Sequence, residues 1–129
     1  METSLRAALI AWLRADPTLA TAVNSVSEEA PPRASPPWLG IAASASADWS
    51  VKETPGREVR VALELHLRGD DPTTGASLVQ AIEDSIGALP REQDGFEVVS
   101  TVFLRSRVEQ RPGNLRAALL EYRFRLLGT

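Results

Sequence analysis

The sequence predicts an α+β fold: an antiparallel four-stranded sheet made of two hairpins, in the order ααββαββ, with helices on one face. Three observations predict it. Apolar residues recur at helical spacing in two segments, 4–15 and 73–89. Two pairs of period-two runs follow, each pair joined across proline and glycine. The runs arrive pairwise on either side of the helix at 73–89, which favours antiparallel hairpins over a parallel crossover sheet.

The first helix places Leu5, Ala8, Leu9, Trp12 and Leu13 on one stripe, with Arg6 and Arg14 turned away. Asp16 before Pro17 has the pattern of an N-cap and first helical position, opening a second short helical segment through Val23. The next stretch, SEEAPPRASPP, holds four prolines in eleven residues and is read as an extended connector.

From Leu39 the period changes to two. Leu39, Ile41, Ala43, Ala45, Ala47, Trp49 and Val51 form one face; Ser44, Ser46, Asp48, Ser50 and Lys52 form the other. The partner strand alternates likewise, with Val59, Val61, Leu63, Leu65 and Leu67 against Arg60, Glu64, His66 and Arg68. Keeping both apolar sets on one face requires an odd loop, so Thr54-Pro55-Gly56 is expected rather than a two-residue turn, with Gly56 supplying a positive φ.

In the third helix Asp71 is expected to cap and Pro72 to open the first turn. Leu78, Val79, Ile82, Ile86 and Leu89 make its buried stripe, and Pro90 ends it. Asp94-Gly95 then turns into a second hairpin, Phe96 to Glu109 and Asn114 to Leu127, joined through Arg111-Pro112-Gly113. On its last strand Ala118, Leu120, Tyr122, Phe124 and Leu126 face inward, with Glu121, Arg123 and Arg125 outward. The strand before it has apolar residues in both phases (Val98, Val99, Val102, Phe103, Leu104), which means a bulge or burial on both faces.

At 129 residues the chain is expected to be a single domain spanning 1–129, large enough for a core without staples. It has no cysteine, which excludes disulfides, thiolate metal sites and cysteine nucleophiles and suits a reducing cytoplasm. Six arginines lie between residues 105 and 125 against Glu109 and Glu121. That cluster is read as a strand pair with solvated edges in preference to a nucleic-acid footprint. The opening LRAALIAWLRAD is interrupted by Arg6 and Arg14 and is too short to span a bilayer, so no membrane association is expected.

No constellation supports catalysis. His66 is the single histidine, and its strand neighbours are long charged groups; it is read as a surface or interface residue. The GDDP segment is a helix cap beside proline rather than a carboxylate metal pair. Glu83 and Asp84 are adjacent on a helix and diverge. No glycine-rich phosphate loop occurs. No catalytic, cofactor-binding or metal-binding residue is therefore assigned.

Length is more informative. A strand from Trp38 to Lys52 would run about 45–50 Å, whereas the helix at 73–89 covers about 25 Å. Roughly 20 Å of hairpin bearing Trp49, Val51 and Val59 would thus project past its own core, an arrangement that is marginal in water. Either the strand bends near Ser46 and folds back over the core, or the arm packs on another subunit. The charged residues Arg60, Glu64 and Arg68 would suit the rim of such a contact.

The order of LRAALIAWLRADPTLATAV, a Pro-rich connector, LGIAASASADWS, REVRVALELHLRG, a helix and a closing LLEYRFRLLG resembles the tail-completion (tail terminator) proteins of long-tailed phages, prophages and gene transfer agents. The likeness runs over nearly the whole chain and rests on order and spacing. It implies a structural virion protein, made in the cytoplasm, that caps the head-proximal end of the tail tube as a homo-oligomeric, hexameric ring. Its implied partners are the tail-tube protein and the head–tail connector protein, with DNA passing through the ring without specific binding. Trp49, Val51, Val59, Arg60, Glu64, His66, Arg68, Val99 and Phe103 are the expected subunit or partner contacts. A head–tail adaptor or other neck protein is the alternative, and a small-molecule binding domain or enzyme a third.

Overall fold

The computed structural model describes residues 1–29, 34–70 and 72–129. Among them are three helices, α1 (Glu2–Ala15), α2 (Pro17–Ala22) and α3 (Pro72–Gly87), and six strands. The strands are β1 (Val26–Ser27), β2 (Trp38–Asp48), β3 (Gly56–Arg68), β4 (Glu92–Gln93), β5 (Phe96–Arg111) and β6 (Leu115–Gly128). They form one sheet in the order β1-β2-β3-β6-β5-β4. The β1–β2 pair is parallel and the other pairs are antiparallel.

The expected four-stranded antiparallel sheet in ααββαββ order is therefore corrected to a six-stranded mixed sheet, curled as a half-barrel. The two additional strands are two residues long, too short to show any period. Val26–Ser27 stands at the start of the Pro-rich stretch and pairs with Leu39–Gly40 at its end. Asn24 holds the returning chain: its backbone N–H donates to the Pro37 carbonyl (2.8 Å) and its side-chain amide to that of Ser35 (2.8 Å). Residues 30–33 of the connector, and the expected Asp71 cap, lie outside the described residues.

The helices form where their patterns place them. Leu5, Leu9, Ile10 and Leu13 of α1 are buried. The Asp16 carboxylate accepts from the backbone N–H groups of Thr18 (2.9 Å) and Leu19 (3.2 Å), capping α2 ahead of Pro17. Leu78, Ile82 and Ile86 of α3 join Val59, Val61, Leu63 and Leu65 of β3 and Leu120, Phe124 and Leu126 of β6 in one core cluster. Each such side chain contributes about 1.5–3 kcal/mol by leaving water. Trp12 ties α1 to α3 by donating its indole N–H to the Ser85 carbonyl (2.7 Å).

Three bulges set which side chains face the helices. In β2 the register shifts between Ile41 and Ala43. Leu39 and Ile41 face the core, but beyond the shift Ser44 and Ser46 oppose Val61 and Val59, while Ala43, Ala45 and Ala47 oppose Ala62, Arg60 and Glu58. The apolar face expected to run unbroken from Leu39 to Val51 thus changes side at Ala42. Ser44, now on the helix side, donates to Glu2 (2.6 Å) and accepts from Arg6 (2.9 Å) of α1. In β5 shifts lie between Val98 and Ser100 and between Phe103 and Arg105. They account for its apolar residues in both phases, because each bulge resets the alternation.

The same parity change corrects the first hairpin turn. Val51 and Thr54 exchange backbone hydrogen bonds (3.0 and 2.8 Å) around a two-residue turn at Lys52-Glu53, and Lys52 carries the positive φ of 46°. Gly56 serves another need. A Cβ there would run into the Trp49 carbonyl and lie 2.8 Å from that of Leu126.

No bare arm projects. β3 pairs with β6 along its whole length, from Gly56 opposite Leu127 to Arg68 opposite Leu115. Val59 is consequently 0% exposed.

Candidate assembly interface

The side of the sheet away from the helices is a lattice of charges on β3, β5 and β6. Glu58 pairs with Arg125 (3.2 Å) and Arg123 (3.7 Å), and Glu121 accepts from Arg105 (2.9 Å). The Arg105 hydrogen bond holds the Glu121 carboxyl below its ordinary range. Glu64 accepts from Arg111 (2.9 Å) and sits 3.1 Å from His66 Nε2. His66 stacks on Trp38, ring centroids 3.8 Å apart and planes within 9°. Burial between that ring and the sheet pushes the imidazole pKa down, against the opposing pull of Glu64 and aided by Arg111. The face is laced with its own ion pairs, each contributing little to stability where exposed.

The expected contact residues are not all brought together. Arg60, Glu64, His66 and Arg68 share the outer face, where Arg60 and Arg68 are exposed and Glu64 and His66 are half-buried. Trp49 lies at the end of β2, half-buried under the Arg125 guanidinium, 5.5 Å from its ring centroid. Val51 is 42% exposed at the hairpin turn. Val99 is half-buried in the first β5 bulge, and Phe103 is 46% exposed on the helix side of β5. Val59 departs from the expectation: with β6 paired across its whole strand, it belongs to the core.

Sequence reasoning missed Val108, the most exposed of the large apolar residues at 60%. It opposes Ala118, on the helix side, and lines an open groove of about 390 Å³ with Leu67, Ala76 and Val79. The signal was the inward phase of Ala118, but the bulge after Phe103 hid which β5 residue meets it.

Both margins of the sheet are incomplete. β1 covers β2 only at Leu39–Gly40, and β4 covers β5 only at Phe96–Glu97. Among the described residues, Ala43–Asp48 and Ser100–Arg111 have no strand on their outer sides. No three acidic or histidine side chains converge to hold a metal ion among the described residues, and no helix there is long and apolar enough to cross a membrane.

A family model described as tail completion protein gp17 matches residues 7–127. No curated protein matches the chain. Among solved structures, a chain from "Virion of native gene transfer agent (GTA) particle" is similar with a TM-score of 0.82 and 24% identity, over 98% of this chain and 96% of that one. At that identity the likeness speaks for the fold alone.

Proposed function

We propose that this chain, which belongs to the tail completion protein gp17 family, closes the head-proximal end of a tail tube as a homo-oligomeric ring. The family makes it a structural protein of a phage-type tail. The finer reading is that the ring, of six copies, stops tube growth and presents a surface to the head–tail connector, with DNA passing through. The family match over nearly the whole chain is the observation that carries it. The sheet supports it: a protomer with two open margins and exposed Phe103 and Val108 offers surface for neighbours.

In this role the chain works by fit and not by catalysis, and no cofactor is required. Trp49, Val51, Arg60, Arg68 and Phe103 remain the contact residues, with Glu64, His66 and Val99 behind them. The protein is assembled in the cytoplasm and ends in the virion neck. Purified protein added to tails from a deletion strain tests the reading. It should bind one end of each tube and restore joining to filled heads. Binding along the tube wall, or no binding, would sink it.

A further inference from the structure

We propose that the β5 margin of one copy pairs with the β2 margin of the next, so that the ring inferred above is a head-to-tail continuation of one sheet. This rests on the ring reading and specifies its contact. The two open stretches lie on opposite sides of the sheet and leave alternate backbone N–H and C=O groups without a strand partner among the described residues. Three successive antiparallel pairings make β2 and β5 run in opposite senses. Rotation about an axis along the strands preserves those senses, so β5 meets the next β2 antiparallel, and such a heterologous contact can close.

The helix layer has the matching gap. α1 is fastened over the β2 margin through Glu2, Arg6 and Ser44. On the β5 side, Phe103 and Val108 stay 46% and 60% exposed. Adding the next β2 would carry its α1 onto that strip and bury both.

Charge disfavours the two-fold alternative. Arg105 and Arg107 stand 65% and 58% exposed on the outer face of β5, each beside a glutamate of its own chain, Glu121 and Glu109. Pairing β5 with another β5 would set arginines against arginines. Ala43 and Ala45 leave a shallow depression of about 180 Å³ on the outer face, bounded by Arg60 and Glu121, with room for a long side chain. The bulges at Val99 and Leu104 disrupt regular pairing on β5 before a regular stretch from Arg105 to Arg111, comparable in length to Ala43–Asp48.

The cysteine-free sequence permits a direct test. Ser46→Cys is combined with Thr101→Cys, which stands level with it through Val59 and Phe124. It is also combined with Ser106→Cys or Val108→Cys, which a stagger between copies would bring opposite it. All lie on the helix side of the sheet, and each single variant serves as control. Melting temperatures confirm folding, and assembled particles are oxidised and resolved without reductant. Directly opposed antiparallel residues lie about 4.5–5.5 Å apart, within disulfide reach. A ladder of covalent oligomers in at least one double variant, with none in the singles, is expected. A dimer from a single variant would overturn the proposal in favour of a two-fold contact. No cross-link in any variant, in particles whose tails carry the ring, would overturn it while the ring stands. Wild-type tails without a ring would remove the ring reading itself, and the proposal with it.

Discussion

Phe103 meets Tyr122 edge-on, ring centroids 5.5 Å apart, yet 46% of Phe103 remains in solvent while Tyr122 is 4% exposed. One aromatic closes the core and the other lies over it without a cover. Phe103→Ser should therefore cost the isolated chain about 1 kcal/mol or less of folding stability. Assembly onto tails should weaken by about 2 kcal/mol, roughly 30-fold in affinity, as for an interface anchor. Denaturant unfolding and a tail-binding titration measure the two. A loss confined to folding would remove Phe103 from the contact.

Gly56 tolerates no side chain, because a Cβ would strike the carbonyl oxygens of Trp49 and Leu126 from the strands on both sides. Gly56→Ala should destabilise by about 2 kcal/mol or more, since the obstacles are backbone atoms that move only with their ladders. A midpoint unchanged in chemical denaturation would show that the sheet yields there more readily than its pairing implies.

Tyr122 is the single tyrosine, and burial, with Glu83 and Asp84 nearby, pushes its pKa up to about 12. The unfolded phenol ionises near 10. Between those values the folded state holds more protons, so stability is full below about pH 10 and is lost as pH rises toward 12, by up to about 2–3 kcal/mol. Tyr122→Phe should lack this dependence. A phenolate absorbance titration of the folded chain centred near 10 would contradict it.

Trp49 is half-buried, and the Arg125 guanidinium lies over its ring. Trp49→Ala should cost about 1–2 kcal/mol of folding stability, from the lost cation–π contact and partial packing. Fully buried aromatics cost about 3–5 kcal/mol when truncated. A thermal melt decides, and a loss in the upper range would make Trp49 a core residue and not a contact.

The elements governed by one unbroken period were legible in the sequence. Leu5, Leu9 and Leu13 announced α1, Asp16-Pro17 announced the α2 cap, and Val61, Leu63 and Leu65 announced the inward face of β3. What could not be read was each point where the period breaks. A bulge adds one residue without any composition signal, so the alanines of β2 were placed on the helix side when Ser44 and Ser46 occupy it. The same slip moved the turn from Thr54-Pro55-Gly56 to Lys52-Glu53. The projecting arm failed for another reason: strand partners are chosen by tertiary pairing, and β6 accompanies β3 to its very end. Val59 went with it into the core, whereas the two-phase pattern that singled out Phe103 was visible in the sequence, and the structure leaves that ring 46% exposed.

The length distribution of tails in a strain lacking this protein, measured by electron microscopy, tests the central claim most directly. A protein that caps the tube and joins it to the head predicts unjoined tails of uncontrolled length, restored to uniform length by the wild-type gene. Tails of normal length, whether joined to heads or free, would contradict the capping role.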